Sequence, residues 1–443
     1  MQIKPYPNAL SSRDLVDIFC SEKFGFALDS TQIVDNLGGW SFYGSDPFDW
    51  IKGGDDLFEL RELMSPYVND TYCEIPFLGG AVGFISYDYG RCLENIPIAS
   101  ANDLAIPNYC FGLYDGIVAR NTVSGDIFLI ASEVRESAED TFDRLNLAID
   151  SGMAKVKVKA KQKNNSYFSF SDWRWDTSQE EFQASVEQIK SHIALGEVYQ
   201  VNLSRRRDGL FDGALVDLYQ ALRKGNPAPY SGFFNGEEVQ LISTSPEQFL
   251  KKSKNNLVTR PIKGTRPRGK TEEEDRIFAK DLELSEKDRA ELLMIIDLER
   301  NDLGKVAEFG SVNANTDYNL EYYKSVMHAT AEVKAKLSPE YDVFDAIHSM
   351  FPGGSITGAP KIKAMEIIEK LERHRRGLYC GSFGYIGFNQ DAEFNISIRS
   401  LHYTKGRLYY NVGSGIVWDS DSESEYMETL AKGSAIESTL EGL

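Results

Sequence analysis

Three apolar runs near the end of the chain decide its fold: YCGSFGYIGF (Tyr379–Phe388), EFNISIRSLHY (Glu393–Tyr403) and RLYYNVGSGIV (Arg407–Val417). Each run is rich in aromatic and β-branched residues, and short turns separate them, which predicts three consecutive strands. The residues before them, from 288 to 373, carry helical patterns instead. Strands and helices therefore come in blocks and not in βαβ alternation, which favours an α+β fold with antiparallel sheets.

The helix with the clearest boundaries follows Thr177 and Ser178, either of which can cap it. Glu180 and Glu181 suit its first turn, and Gly196 closes it. An apolar stripe at helical spacing follows the cap, and it consists of Phe182, Val186, Ile189 and Ile193. The same kind of pattern predicts further helices at 288–303, 341–350, 360–373 and 423–440.

The first 150 residues predict mainly strands, of which Leu78–Tyr87 is a glycine-rich, buried example. Residues 154–166 are rich in lysine and end in Asn-Asn-Ser, so they are predicted to form a solvated linker or hairpin tip. This stretch divides the chain into an N-terminal region, 1–155, and a second region, 167–443.

Charge and composition narrow the possible partners. The 443 residues include 48 Lys and Arg against 67 Asp and Glu, a net charge of −19, so no nucleic-acid or anionic-membrane partner is expected. An anionic substrate would need a local cluster of positive charge. No apolar run approaches the ~20 residues of a spanning helix. The five cysteines are widely spaced, and a reduced, cytoplasmic setting is expected.

Lys263 is the strongest candidate for chemistry, because it stands between Pro261 and the turn at Gly264. A lysine held close to the backbone and buried loses its charge readily, and the neutral amine is a nucleophile. A lysine in an exposed basic turn is the alternative interpretation.

Two helices each carry acids three residues apart: Asp288 with Glu291, and Glu425 with Glu428. Each pair lies on one helix face, and Lys432 extends the second face by one turn. Mg2+ takes oxygen ligands and keeps several waters, so two carboxylates from converging helices would suit it. Taken alone, either pair is more typical of a solvated helix face.

The glycine-rich stretch Gly353–Lys361 has the spacing of a phosphate loop, but Ala359 occupies the lysine position and excludes that motif. Backbone donors around Ser355 could still bind a carboxylate at the start of a helix. An ordinary turn is the alternative.

Three further positions have both functional and structural interpretations. Gly413 and Gly415 permit close approach of a ligand or form a bulge. Arg399 ends an alternating strand, where it could bind a carboxylate or form a structural ion pair. His328 follows two apolar residues and is more typical of a core than of a catalyst.

Seven motifs in order resemble the chorismate-utilising enzymes, densely over about residues 175–435. They are Thr244–Glu247, Pro261–Gly269, Asp288–Glu291, Asp297–Gly304, Phe351–Lys361, Arg376–Gly387 and Gly413–Val417. The resemblance implies a large two-lobed sandwich of antiparallel sheets with flanking helices and an active site between the sheets.

Within that family, two positions discriminate between reactions. Water-adding members carry a lysine where this chain has Gln200, and anthranilate synthases carry alanine where it has Lys263. The resemblance therefore implies amination of chorismate to 4-amino-4-deoxychorismate, on the route to 4-aminobenzoate and folate. An anthranilate synthase making 2-aminobenzoate and a non-catalytic regulatory relative remain as alternatives.

The resemblance also implies a role for each site residue. Lys263 adds to the ring, Glu247 is the general acid and His328 lies near the departing oxygen. Mg2+ is held by Glu291 and Glu428, with Asp288 and Glu425 positioning its water. The implied substrate-binding residues are Ser355, Tyr379, Arg399, Gly413, Gly415 and Lys432.

A partner and a second pocket are implied as well. A separate glutamine amidotransferase would form a heterodimer with this chain and supply the ammonia. An amino acid would bind in the N-terminal region near Ser30, Trp40, Ser41 and Tyr230, unless Trp40 itself fills that space.

Overall fold

The computed structural model describes residues 1–34, 37–161, 168–324 and 326–442. Its helices are α1 (Ser12–Phe19), α2 (Phe58–Met64), α3 (Gly90–Leu93), α4 (Ala138–Lys161), α5 (Gln179–Ala194), α6 (Leu215–Gly225), α7 (Glu272–Leu284), α8 (Glu286–Gly304), α9 (Val343–Met350), α10 (Lys361–Leu371) and α11 (Ser422–Glu441).

The strands fall into two series along the chain. Those before α6 are β1 (Gln2–Pro5), β2 (Phe26–Asp29), β3 (Trp40–Gly44), β4 (Asp49–Lys52), β5 (Gly80–Ile85), β6 (Tyr109–Tyr114), β7 (Gly116–Asn121), β8 (Ile127–Ala131), β9 (Ser169–Trp175) and β10 (Gln200–Asp212). Those after α6 are β11 (Tyr230–Asn235), β12 (Val239–Ser245), β13 (Gln248–Ser253), β14 (Asn256–Arg260), β15 (Ile262–Pro267), β16 (Asn313–Tyr322), β17 (Val326–Lys336), β18 (Gly358–Ala359), β19 (Ser382–Gly387), β20 (Ala392–Ile396), β21 (Ser400–Thr404) and β22 (Arg407–Ile416).

Two sheets form the frame of the molecule, and the ladders between their strands in the described ranges are antiparallel. The 12-stranded sheet has the order β1-β8-β7-β3-β2-β11-β12-β21-β22-β10-β18, with β9 also paired to β10. The 10-stranded sheet has the order β15-β17-β14-β13-β20-β19-β5-β6-β4, with β16 also paired to β17. The expected α+β sandwich is confirmed.

Apolar cores lie between the sheets and under the helices. One cluster joins Phe42 and Phe234 of the larger sheet to Phe84 and Tyr385 of the smaller, so the two sheets pack face to face. A second cluster packs α1, α4, α6 and α11 on the larger sheet, and a third packs α8 and α9 on the smaller. Burial of apolar surface, at about 25 cal/mol per Å2, holds these layers together.

The helix boundaries agree with the capping signals. Ser178 caps α5, and the Glu181 side chain returns to the Ser178 backbone N–H, as a capping box requires. Pro360 stands at the N-cap of α10, and Asp342 caps α9.

Two sequence-based predictions are wrong in detail. The predicted strand Glu393–Tyr403 is two strands, β20 and β21, in different sheets, because the chain turns at Arg399 with a φ of 50°. Residues 154–161 are the last turns of α4 and not a linker, while 162–166 lie outside the described residues.

Both sequence regions contribute strands to both sheets. In the smaller sheet β5 pairs with β19, and in the larger sheet β2 pairs with β11. The boundary near residues 155–167 is thus a division of the sequence that the sheets do not follow. None of the helices in the described ranges has the length and apolar character needed to cross a bilayer. All five cysteines are free thiols.

Candidate active site

Two neighbouring segments cross from one sheet to the other at the centre of the candidate site. Residues 246–247 connect β12 to β13, and residues 397–399 connect β20 to β21. The crossings are bonded to each other, because the Ile396 N–H donates to the Glu247 carbonyl at 3.0 Å and the Thr244 N–H donates to the Arg399 carbonyl at 3.2 Å. Glu247 and Arg399 are therefore held at adjacent corners of the sandwich.

Glu247 is buried with little to stabilise a charge. Its side chain accepts one long hydrogen bond, 3.4 Å from the Ile262 N–H. Burial raises the pKa of its carboxyl, and the charges of Lys263 and Arg399 only partly oppose that rise. A carboxyl in this setting favours the protonated form and can donate a proton.

Lys263 brings the two sheets into contact at the site. It lies on β15, at an irregular step in the pairing with β17, and not in an exposed loop. Its Nζ is 3.4 Å from the point where a Cβ on Gly415 of β22 would stand, so a side chain on Gly415 would crowd the amine. Burial lowers the pKa of Lys263, Glu291 opposes this shift and Lys432 adds to it. The placement of Lys263 on a strand differs from that of an exposed basic turn, and its role as the nucleophile stays a prediction.

Gln200 lies in the same space as Lys263. From the sequence it was identified only as a residue that cannot act as a base, and no binding role was predicted for it. Its Nε2 lies 2.8 Å from the same Cβ position on Gly415. Neither polar atom of the buried Gln200 amide has a hydrogen-bond partner among the described residues. Since buried amides are normally satisfied, this one is poised to bond a ligand beside Lys263. Its position at the start of a buried strand was the available signal.

Gly413 is surrounded by two other predicted substrate-binding residues. The hydroxyl of the buried Tyr379 lies 2.9 Å from the point where a Cβ on Gly413 would stand. Lys432 Nζ donates to the Gly413 carbonyl at 3.0 Å. The structure therefore brings Gly413, Tyr379 and Lys432 together, and at both glycines of β22 the nearest protein atom is 2.8 Å from the point where a Cβ would stand.

Arg399 donates a hydrogen bond to His328, and this fixes the tautomer of the histidine. Arg399 Nη2 lies 3.1 Å from His328 Nε2, and Thr265 Oγ1 lies 2.9 Å from His328 Nδ1. Because a guanidinium can only donate, Nε2 must accept and Nδ1 carries the proton. Burial and the Arg399 charge lower the pKa of His328, which keeps this neutral tautomer. Thr265 was not predicted, and no sequence pattern indicates it.

Arg399 forms no ion pair with a carboxylate in the described part of the chain. Arg399 has a left-handed backbone at this crossing, with a φ of 50°. An arginine held in place by a neutral histidine and left without a counter-ion is suited to an anionic ligand.

The two predicted metal ligands lie on opposite helices near Lys263. The Glu291 side chain on α8 is 16% exposed, and burial raises its pKa, with Lys263 and Lys287 opposing and Asp288 and Glu425 adding. Glu428 on α11 is half exposed and pairs with Lys432 at 2.7 Å. Burial alone would raise the pKa of Glu428, but Lys432 brings it below the usual value.

The predicted supporting acids already have partners. Asp288 pairs with Arg266 at 3.1 Å, and Glu425 accepts from Ser414 and, at 2.6 Å, from Ser420. No group of three or more acids, histidines or cysteines in the described ranges surrounds one point as a metal cage would. The two separate carboxylates, Glu291 and Glu428, still fit a hydrated Mg2+. This ion commonly takes one or two carboxylate ligands and completes its coordination shell with water and substrate oxygens.

Ser355 lies in the turn Gly354–Ile356, between α9 and α10. Its hydroxyl is near enough to the Glu247 carboxyl to oppose the rise of that pKa. The Ser355 oxygen is buried and has no full hydrogen bond within the described residues.

The four residues of the predicted amino-acid pocket are only partly brought together. The Ser30 N–H donates to Ser41 Oγ at 3.0 Å, while Trp40 packs 6.0 Å from the Phe128 ring. Tyr230 is buried on the side of Glu393 and Arg260. A cavity of about 1040 Å3 opens beside Ser30, but Trp40, Ser41 and Tyr230 do not line it. An amino-acid site here stays a prediction.

Comparison with known proteins agrees with this geometry. The chain belongs to the chorismate binding enzymes, whose sequence profile matches residues 45–438. It is 39% identical to aminodeoxychorismate synthase component 1 of Bacillus subtilis over 426 residues, covering 91% of this chain and 90% of that protein. Anthranilate synthase component 1 3 of Haloarcula marismortui is 37% identical over 433 residues, with coverage of 93% and 85%.

A solved structure extends the likeness to three dimensions. Anthranilate synthase component I of Streptococcus pneumoniae TIGR4 has a TM-score of 0.79 and 30% identity, and the match covers 91% of this chain and 93% of that one. The protein is thus a chorismate-utilising enzyme. Relatives named aminodeoxychorismate synthase and anthranilate synthase lie at similar identity, so the comparisons do not decide the reaction of this chain.

Proposed function

We propose that this chain aminates chorismate at C4, giving 4-amino-4-deoxychorismate. The observation that carries the proposal is a lysine with lowered pKa between a buried acid, Glu247, and the open glycine strand at Gly415. An amine whose pKa is lowered and a carboxyl whose pKa is raised, on either side of one space, are suited to act as the nucleophile and the acid that the substitution needs. A relative named aminodeoxychorismate synthase component 1 supports the same assignment.

The proposed reaction balances in two steps. The Lys263 amine forms a bond to ring C2 as the C4–O bond breaks, and Glu247 gives its proton to the departing hydroxyl, which leaves as water. Ammonia then forms a bond to C4 as the C2–N bond to Lys263 breaks, which regenerates the free amine, and the proton that the new C4 ammonium loses returns to the Glu247 carboxylate. Arg399, aligned by His328, would pair with a substrate carboxylate, and the Gln200 and Ser355 side chains supply unused hydrogen-bonding atoms nearby.

Mg2+ is proposed as the cofactor, held by Glu291 and Glu428, and it would draw negative charge from the substrate's ring carboxylate when bound. Titration of activity with Mg2+ should show weaker activation in Glu428→Gln and Glu291→Gln. Unchanged Mg2+ affinity in both variants would contradict the assignment.

Ammonia is proposed to come from a separate glutamine amidotransferase in the cytoplasm. The "component 1" in the names of the relatives supports a second component. The purified chain should then use ammonium salts and leave glutamine untouched. Glutamine-dependent amination by the single chain would contradict this view.

One assay tests the reaction: chorismate, Mg2+ and ammonium are incubated with the protein, and products are separated by chromatography. We expect the para-aminated product, whose formation Lys263→Ala should reduce by orders of magnitude. Lys270→Ala is the matched control, since Lys270 is exposed a few residues along the same segment. Para product at the wild-type rate from Lys263→Ala would disprove the covalent role.

Anthranilate synthesis is the second candidate, because relatives of that name are nearly as similar as the first. The presence of Lys263 argues against anthranilate synthesis. The position of the amine in the product distinguishes the two reactions, since an amine ortho to the carboxylate indicates anthranilate synthesis. Omitting ammonium separates the routes further, since mass spectrometry of the intact protein should then show a ring adduct on the wild type and none on Lys263→Ala.

A further inference from the structure

The cavity of about 1040 Å3 beside Ser30 has no part in the proposed reaction. It lies where α1 and α6 meet the larger sheet, and its volume suits a small-molecule ligand. Its lining includes Arg13 from the first turn of α1, Arg223 and Lys224 from the last turn of α6, and Arg120 from β7. Basic side chains from three separate elements therefore line one cavity.

Much of this positive charge is unpaired. Arg13, Arg120 and Lys224 form no ion pair with any residue of the described ranges. Among the described lining residues, Asp217 is the acid that opposes them. The whole chain has a net charge of −19, so the cavity is a local exception to its acidic character. Unpaired cations in a concave site attract anions, because the low-dielectric walls focus the field.

Two of the arginines also hold buried polar atoms that no protein group satisfies. Arg120 Nε and Arg223 Nε have no hydrogen-bond partner among the described residues. Arg223 pairs with the buried Asp29 at 2.6 Å, and Arg120 stands directly opposite Ser41 in the pairing of β3 with β7. Buried donors are normally satisfied, so both guanidiniums retain hydrogen-bonding capacity for a ligand.

The end of α6 connects this cavity to the candidate active site. The last turn of α6 carries Lys224, and Asn226 is its C-cap. Asn226 Nδ2 donates to Thr244 Oγ1 at 2.8 Å, and Thr244 Oγ1 donates to the Arg399 carbonyl at 2.9 Å. Two side-chain hydrogen bonds therefore lie between the end of α6 and the main chain of Arg399.

We propose that this cavity is a second binding site, for a small oxyanion with two or more negative charges, and that its occupation acts on chorismate binding through the end of α6. Arg13, Arg120 and Lys224 bind the anion, and the N-terminus of α1 adds partial positive charge. An anion that draws Lys224 towards it pulls on the bonds from Asn226 to Arg399, which weakens the hold on chorismate.

This site differs from the predicted amino-acid pocket, since Ser30 alone of the four residues predicted for that pocket lines the cavity. The proposal requires only that the chain binds chorismate, and it does not depend on which product is formed.

Binding is tested by calorimetry with inorganic phosphate and, separately, with succinate, at constant ionic strength. We expect saturable binding to the wild type. Arg13→Ala and Arg120→Ala should each weaken it about tenfold, the effect of losing one hydrogen bond to a charged group. The control is Arg174→Ala, which removes an exposed arginine of β9 that does not line the cavity.

The two probes distinguish the chemistry of the ligand. Binding of phosphate alone indicates a phosphorylated ligand, and binding of succinate alone indicates a carboxylate. Binding of neither probe, or an equal loss of affinity in Arg174→Ala, would overturn the proposal.

The effect on the active site is measured as the KM for consumption of chorismate, which is followed whichever product forms. A saturating probe should raise this KM about fivefold in the wild type. Arg120→Ala should show no rise at the same probe concentration, and Asn226→Ala should bind the probe but also show no rise. An unchanged KM in the wild type would overturn the proposal, and so would an equal rise in Arg120→Ala, which indicates competition at the active site instead.

Discussion

The chain crosses from one sheet to the other at Asp115 and at Glu247, and each crossing carries a buried acid. The two acids differ in whether arginine side chains pair with them. Asp115, between β6 and β7, has a side chain only 1% exposed and pairs with Arg135 at 3.2 Å and Arg144 at 2.9 Å. Glu247 is similarly buried but accepts one backbone hydrogen bond at 3.4 Å. Arginines of the protein itself neutralise the carboxylate of Asp115. Glu247 and the neighbouring Arg399 form no such ion pair, which leaves both available to a ligand.

The comparison separates structural from functional charges on this fold. A buried acid with two arginine partners holds a corner together, and breaking such a group leaves uncompensated charge. A buried acid without a partner destabilises the fold and persists where the site uses it. The same difference applies to the arginines, because Arg144 is paired and Arg399 bonds a neutral histidine instead.

The largest expected effect is at the Glu247 corner. Glu247→Gln removes the proton donor and should lower kcat by about 10²- to 10⁴-fold, the usual contribution of a general acid. The fold should be unaffected or slightly stabilised, because no ion pair is lost. Steady-state kinetics measures the change in kcat, and thermal unfolding measures the change in stability. A large loss of stability would show that Glu247, like Asp115, has a structural role.

The next effect is at the Asp115 corner. Asp115→Asn removes one of the two acids that Arg135 and Arg144 share, since Asp46 pairs with them at 3.1 and 3.5 Å, and it should cost about 1–3 kcal/mol of unfolding free energy. The kcat of the folded fraction should stay near the wild-type value. Denaturant titration gives the stability change, and active-site titration corrects for the folded fraction. A kcat loss as large as that of Glu247→Gln would break the distinction.

The smallest effect is the pH dependence of stability at the Glu247 corner. A carboxyl whose pKa is raised in the folded state contributes full stability below its ordinary pKa of 4.5, and stability is lost as pH rises towards the folded pKa. Glu247→Gln should therefore be most stabilised relative to the wild type at high pH, with the difference vanishing near pH 4. Melting temperatures across this range would show a flat difference if Glu247 titrated normally.

Sequence alone predicted α5, α8, α9, α10 and α11, because capping residues such as Ser178 act locally, but it did not predict the other helices of the described ranges. It missed the break at Arg399, since the periodicity of alternating residues does not reveal a change of sheet. In the site, Lys263, Gly413 and Gly415 carried recognisable motifs. From the sequence, Gln200 stood out only as a residue that cannot act as a base; its unpartnered amide became visible only in three dimensions, because such relations depend on residues far apart in the chain.

The interleaving of early and late strands has a consequence for how the protein is made. β22, near the end of the chain, pairs with β10 and β21 within the larger sheet, and β19 joins β5 of the N-terminal region. Neither sheet can close until nearly all of the chain has left the ribosome, and pairings so distant in sequence fold slowly. During synthesis the early strands lack their neighbours, so the backbone N–H and C=O groups at their edges are unpaired. We therefore expect newly made chains to depend on chaperones, and a fragment of residues 1–155 to aggregate when it is expressed alone.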